Sequence, residues 1–443
     1  MTTSPAKTSL KDSADTAVAR VNWADWRLIL LASLGGALEF YDFVVYSQFA
    51  QYIGRAFFPS DDALVSLVLS FSTFAIGYFA RPLGGIFFSH IGDRIGRRKV
   101  LVITILIMSG ATVGIGLLPT YAQVGILAPI LLVLFRILQG FCLGGELPGA
   151  ISYVVETAPR RSGFSVGIIF FCVNSGVLLA ALLNLGLQMT MAPADIAGWG
   201  WRIGFLVGGA LGIVSFFLRL TLEESKEFSR IRAVGKASAL PLADLIRTFP
   251  MATVVGVAVL AVTAGFNGLL FAMPAYLPQT MGYTAVEASL GQNIGLAILS
   301  VGLLTVAWFS DRIPRKPMLL VGSSLLMLLS YPFFKAAQNH SVNLYLMFAI
   351  VGVVASLCTG TVIGICADLF PTYIRFTGVA MSFNLSFSLL SGLAPVVIAE
   401  LTRQTGNPAN AAFYMIGCAA LSFGGALVMH KYDGQILADL DNK

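Results

Sequence analysis

Asp93-Arg94-Ile95-Gly96-Arg97-Arg98 and Asp311-Arg312-Ile313-Pro314-Arg315-Lys316 are the two stretches whose reading decides the fold. Each puts an aspartate, an arginine and an isoleucine ahead of a turn residue and two more cations, and they lie 218 positions apart (311 − 93). A second echo stands at a similar offset: Glu156-Thr157-Ala158-Pro159 against Asp368-Leu369-Phe370-Pro371. A chain that repeats itself once over half its length is built from two like units. Composition says what the units are made of. With 57% hydrophobic and 11% charged residues over 443 positions, there is too little polar surface to cover a soluble globule. Uncharged runs at 63–80, 100–135, 162–194, 248–286, 288–310, 341–367 and 376–399 point to the bilayer as the main solvent. The longest exceed the roughly 20 residues of one membrane span, so each holds a second helix or a helix and a loop.

Twelve spans are predicted, near 28–53, 64–90, 100–118, 124–156, 163–190, 199–220, 250–275, 285–310, 317–336, 342–368, 372–401 and 409–430. The loops alternate sharply in charge. One set holds Arg94, Arg97, Arg98, Lys99, Arg160, Arg161, Lys226, Arg230, Arg232, Lys236, Arg247, Arg312, Arg315, Lys316 and Arg375; the other holds Arg55, Arg202, Lys335 and Arg403. The rule that short cytoplasmic loops carry the cations then puts both termini inside, in a multi-pass protein of the bacterial inner membrane. It also accounts for the net charge of +6 without nucleic acid. The expected organisation is a cytoplasmic segment at 1–27, a six-helix bundle at 28–220, a polar cytoplasmic linker at 221–249, a second six-helix bundle at 250–430 and a cytoplasmic tail at 431–443. Two parallel halves meet at a central interface, where a transporter of this build holds its solute. Residues 1–26 are polar and mixed in charge, which is not the pattern of a cleavable signal.

Other chemistries find no support. Cys142, Cys172, Cys358, Cys366 and Cys418 all fall in apolar segments without metal-ligand spacing and read as buried thiols. There is no Gly-x-x-x-x-Gly-Lys-Ser/Thr loop and no His-Glu-x-x-His, and the only histidines are His90, His340 and His430. No cofactor, metal or catalytic residue is expected. A transporter-like sensor or a membrane enzyme is the reading from another class.

The candidate residues are the charges inside the spans. Glu39 and Asp42 lie deep in the first span, three residues apart on one face with Tyr46. An ionised side chain there costs about 2.5 kcal/mol or more, and two neighbouring carboxylates resist double ionisation, as a proton carrier requires. A structural salt bridge is the plainer reading. Arg81 stands in the second span just before Pro82, and its guanidinium keeps its charge in a protein. In the fourth span Arg136 and Glu146 are ten residues and about 15 Å apart on faces roughly 80° different, so each needs another partner. Glu146 follows Gly144 and Gly145, which allow close helix approach, and precedes Pro148. The second half offers only polar and aromatic candidates: Phe266, Asn267, Tyr276, Gln292, Asn293 and Asn384.

The loop after the second span, Ser89-His90-Ile91-Gly92-Asp93-Arg94-Ile95-Gly96-Arg97-Arg98, resembles the Gly-x-x-x-Asp-Arg-x-Gly-Arg-Arg signature of the major facilitator superfamily, with Ser89 in place of the first glycine. Leu38-Glu39-Phe40-Tyr41-Asp42-Phe43, Ala80-Arg81-Pro82-Leu83-Gly84-Gly85, Arg136-Ile137-Leu138-Gln139-Gly140-Phe141 with Gly144-Gly145-Glu146, and the stretch from Asp368 through Pro371 and Arg375 to Gly378 resemble its metabolite:proton symporter branch. That branch includes carriers of citrate, 2-oxoglutarate, shikimate, proline and betaine. The resemblance implies an all-α membrane protein with twelve helices in two pseudo-symmetric six-helix bundles, working as a monomer. It makes the first two spans neighbours, so that Glu39 or Asp42 becomes a partner for Arg81, as does a substrate carboxylate. It implies a cytoplasmic gate made from Asp93, Arg94, Arg97, Arg98, Glu156, Asp311, Arg312, Arg315, Asp368 and Arg375.

The expected function is proton-coupled symport of a small organic acid by alternating access. Glu39, Asp42 or Glu146 carries the proton, and Arg81 or Arg136 holds the substrate with Tyr46 and the polar residues of the second half. Two fixed cations favour a di- or tricarboxylate over a zwitterion or a monocarboxylate. Export and uniport are the neighbouring alternatives.

Overall fold

A computed structural model describes residues 23–95, 97–144, 147, 162–220, 241–371 and 374–432. Among the described residues every regular element is helical. Hydrocarbon leaves a backbone no water to bond, so each span satisfies its own polar groups within a helix. The main helices are α1 (Trp23–Gln48), α2 (Ala50–Phe57), α3 (Ala63–Ile95), α4 (Arg97–Leu117), α5 (Leu127–Leu143), α6 (Ser162–Thr190) and α7 (Trp201–Leu220) in the first half. The second half has α8 (Pro250–Met281), α9 (Ala285–Ser310), α10 (Arg315–Gln338), α11 (Leu344–Asp368), α12 (Arg375–Ser386), α13 (Ala394–Thr405) and α14 (Ala411–Val428). Among the described residues nine helical stretches are long and apolar enough to cross a bilayer, and Val102–Leu117 and Leu127–Leu143 are shorter apolar helices.

Three spans differ from their predicted form. The first is interrupted at Phe49, between α1 and α2. The seventh does not stop at 275 but runs through Pro274 and Pro278 to Met281, because neighbouring helices in a membrane bundle can re-satisfy the carbonyls that proline frees. It ends on Gly282, whose φ of 73° is easy only for glycine. Thr284 then opens α9 through a capping box with Glu287. The eleventh span is not one α-helix: a π-turn at Phe387–Ser391 separates α12 from α13.

The two halves pack by the same plan. In the first, α1 packs on α6, α3 on α5 and α4 on α7; in the second, α8 packs on α12, α9 on α11 and α10 on α14. Contacts between halves follow the same exchange of partners: α6 packs on α9, α3 on α12 and α13, and α1 on α8. The predicted linker up to position 240 and the tail from 433 lie outside the described residues.

Candidate functional site

Glu39, Asp42, Arg81 and Arg136 are all buried, and all belong to the first half. Arg81 is 0% exposed, and among the described residues none of its three guanidinium nitrogens has a hydrogen-bond partner. Three rings surround it instead, with centroids 5.8 Å (Phe40), 5.3 Å (Tyr78) and 5.6 Å (Phe383) from its central carbon. Phe40 lies on α1, Tyr78 on α3 and Phe383 on α12, so the cage draws on both halves.

Local sequence explains this placement. A Cβ on Gly140 would lie 1.7 Å from the Gly77 carbonyl oxygen, and one on Gly144 would lie 1.9 Å from that of Arg81. The α3 and α5 backbones therefore touch, as small residues allow in membranes. Tyr78, one turn before Arg81, is held from the other half by the π-turn. There Gly392 N donates to Phe387 O at 2.9 Å, Ser388 Oγ donates to the Tyr78 carbonyl at 2.6 Å and Ser391 Oγ to its hydroxyl at 3.3 Å. Such single π-turns often mark functional sites, because the extra residue re-aims side chains.

Arg136 is in a different condition. Its Nη1 donates to the Phe43 carbonyl at 3.2 Å and to Gln139 Oε1 at 2.8 Å. The rings of Phe43, Tyr46 and Phe74 stand 4.5, 4.6 and 5.2 Å from its central carbon. Gln139 Nε2 in turn donates to Thr112 Oγ1 at 2.8 Å, and the Tyr46 hydroxyl donates to the Ser70 carbonyl at 3.2 Å. Arg136 is thus tied into the first bundle through Nη1, while its Nε and Nη2 are buried without a hydrogen-bond partner among the described residues. Asp42 also turns inward: a Cβ on Gly208 of α7 would lie 2.5 Å from its Oδ1, which places the carboxylate where α1 meets α4 and α7. Glu39 is buried on α1 and interacts electrostatically with Asp42 and with Cys142 of α5.

One expectation needs correction. Among the described residues Arg81 does not pair with Glu39 or Asp42: none of its guanidinium nitrogens has a hydrogen-bond partner there, and the Asp42 carboxylate lies against Gly208 of α7. The Tyr276 hydroxyl is bonded within the second half, to Thr402 Oγ1 at 2.6 Å and to the Pro408 carbonyl at 2.9 Å. The other second-half candidates are placed variously. Asn384 Nδ2 donates to the Gly144 carbonyl at 2.8 Å, and Asn293 Nδ2 to that of Ala181 at 3.2 Å, both across the interface. Gln292 Nε2 bonds the Leu270 carbonyl at 2.8 Å, Asn267 Oδ1 is buried without a partner among the described residues, and Phe266 is buried. Glu146 lies outside the described residues.

The Major Facilitator Superfamily model matches residues 32–395. The chain belongs to that superfamily. It is 35% identical over 413 residues to the proline/betaine transporter of Escherichia coli (strain K12), a match spanning 89% of this chain and 81% of the relative. It is 34% identical over 423 residues to a glycine betaine/proline/ectoine/pipecolic acid transporter of Dickeya dadantii (strain 3937), over 91% and 83% of the two chains. These relatives agree with the metabolite:proton symporter branch, and they are transporters rather than enzymes. The crystal structure of a D-xylose-proton symporter superposes with a TM-score of 0.73 at 20% identity, over 92% of this chain and 98% of that one, and shows the same fold.

The two ends of the interface between the halves are fastened differently. At the Asp311 end, Asp311 Oδ1 accepts from Gly163 N at 2.8 Å and Oδ2 from Phe164 N at 3.0 Å. That carboxylate caps the N-terminus of α6 from the other half, where free N–H groups and the helix dipole favour an anion. Arg315 bridges Asp311 at 3.5 Å and Asp368 at 2.8 Å. Arg312 stacks on Trp308 at 3.6 Å, and Arg375 Nε donates to the Ala367 and Phe370 carbonyls at 3.1 and 3.3 Å. The side chains of Asp93, Arg94, Arg97, Arg98 and Glu156 lie outside the described residues. At the opposite end the fastening is neutral: Asn184 Nδ2 donates to Ser289 Oγ at 3.1 Å, beside the Asn293–Ala181 bond.

Sequence reasoning missed Tyr78, Gln139, Phe383, Ser388, Ser391 and Asn184. Tyr78 was within reach, since it lies one helical turn before Arg81. Phe383 carried no signal, being one phenylalanine among 32.

Proposed function

We propose that the chain is a proton-coupled symporter of a small zwitterion bearing one carboxylate, of the proline/betaine class, working by alternating access. The observation that carries this reading is Arg81, a fixed positive charge wholly buried where the halves meet, without a hydrogen-bonding partner among the described residues. Leaving such donors unmatched is costly, and a substrate carboxylate is the ligand that repairs it in the two-pronged geometry arginine favours. Arg136, by contrast, is committed to Phe43 and Gln139. Arg81 alone has all three guanidinium nitrogens unpartnered among the described buried cations, whereas Arg136 leaves Nε and Nη2 open; one fully open cation fits one carboxylate, so the preference for a di- or tricarboxylate gives way. Similarity to proline/betaine carriers points the same way.

In this reading Asp42, with Glu39 beside it, takes the proton inside the first bundle; Glu146 is the third candidate. Gln139 ties the backbone of α1 to Arg136 and Thr112, its Nε2 lying 3.5 Å from the Asp42 carbonyl, so protonation has a route by which to shift α1 against α4 and α5. The halves then rock about the Arg81 cage, releasing Asp311 from α6 at one end or Asn184 from Ser289 at the other. With the cation-rich loops inside, the Asp311 end is cytoplasmic and both termini lie in the cytoplasm of the bacterial inner membrane. The protein acts as a monomer with two six-helix domains at 28–220 and 250–430.

The test is uptake of labelled betaine, proline, citrate and 2-oxoglutarate into proteoliposomes under an inward proton gradient. Betaine or proline should accumulate, and a protonophore should abolish the accumulation. Accumulation of citrate or 2-oxoglutarate alone would overturn the substrate class, and protonophore-insensitive uptake would overturn the coupling.

A further inference from the structure

Beyond Arg81 the site continues as a row of rings. Phe383 stacks on Phe387 with centroids 4.2 Å apart and planes at 23°, and Phe170 of α6 meets Phe383 edge-on at 6.2 Å. The three rings are close to the guanidinium cage through Phe383 itself, and they again come from both halves. Phe387 begins the π-turn, so its ring direction is set by the local irregularity that also fastens Ser388 and Ser391 to Tyr78. Phe170, Phe383 and Phe387 are each at most 5% exposed, so a cation among them is stripped of water.

We infer that Phe170, Phe383 and Phe387 form an onium subsite, and that the carrier selects zwitterions whose ammonium is fully N-methylated over those that keep N–H groups. The inference rests on the reading of Arg81 as the carboxylate anchor. The carboxylate engages Arg81 and leaves the other end of a small zwitterion facing the rings. A methylated ammonium needs no hydrogen-bond acceptor and is attracted by ring faces. A secondary or primary ammonium loses its water there without replacement donors' partners, because rings offer no strong acceptor, and that loss weakens binding. The rings part when the halves rock, since Phe170 moves with one bundle and Phe383 and Phe387 with the other; closing the site wraps them around the ligand.

The experiment is competition against labelled betaine and labelled proline in proteoliposomes by glycine, sarcosine, dimethylglycine, betaine and 3,3-dimethylbutyrate, a betaine isostere that keeps the carboxylate but has a neutral tert-butyl group in place of the trimethylammonium. Affinity should climb along the methylation series. The isostere should compete at least about threefold less well than betaine, as expected for a lost cation–π attraction. Phe383→Leu should weaken betaine by about tenfold and flatten the series, while Phe383→Tyr restores it. Equal competition by glycine and betaine, by the isostere and betaine, or an unchanged series in Phe383→Leu would overturn the subsite. If Phe383→Leu yields no folded protein, the same series on Phe387→Leu decides. Transport of proline and betaine with equal affinity removes this inference alone, whereas competition by choline without help from any carboxylate removes the Arg81 reading beneath it.

Discussion

The first half buries Glu39, Asp42, Arg81 and Arg136, whereas the buried polar side chains of the second half, among the described residues, are serines, threonines, asparagines and glutamines. Both halves nevertheless pack their helices by one plan. Each buried charge costs about 2.5 kcal/mol or more near the bilayer centre, a cost set against function on one side of the interface only. The second half supplies what a charge needs around it: the ring of Phe383, the hydroxyls that fix Tyr78, and the carboxylate of Asp311 at the rim. Equal folds therefore do not imply equal roles, and the division can be broken residue by residue.

The largest effect is expected at Arg81. Arg81→Gln should lower zwitterion uptake by about a hundredfold, the loss of two charge-assisted hydrogen bonds, with Arg81→Lys recovering part of it; initial uptake rates in proteoliposomes check this. Next comes Asp42→Asn, which should abolish gradient-driven accumulation but spare counterflow of substrate between two pools, since exchange needs no net proton movement. Accumulation that persists in this variant would move the proton site to Glu39 or Glu146. Asp311→Asn keeps the shape of the cap on α6 but removes its charge. It should shift the equilibrium about tenfold toward opening at that end, read as a longer distance population between spin labels on the neighbouring ends of α6 and α9. The smallest effect belongs to Tyr276→Phe in the second half: about 1 kcal/mol of stability lost with the bonds to Thr402 and Pro408, visible as a slightly lower Tm with unchanged KM.

How much could be read in advance differs along the chain. Span positions were legible because hydropathy is a sum over neighbouring residues: α9, at Ala285–Ser310, matches its predicted 285–310. The end of α8 was not, since proline breaks a helix only where nothing nearby replaces the lost bond, and 274 gave no hint of its neighbours. The π-turn at Phe387–Ser391 left no trace for a similar reason: its support is Tyr78, more than 300 positions earlier.

Arg81 and Arg136 show the boundary most clearly. The sequence alone set both at membrane depth, in a twice-repeated twelve-span chain, because charge and hydropathy belong to residues and their near neighbours. Only the tertiary structure decided that Arg136 commits its Nη1 to Phe43 and Gln139 while, among the described residues, all three Arg81 nitrogens stand among rings without a hydrogen-bond partner. Whether a buried charge is paired depends on distances between helices far apart in the chain, and those are fixed when glycines such as Gly140 and Gly144 let α3 and α5 touch.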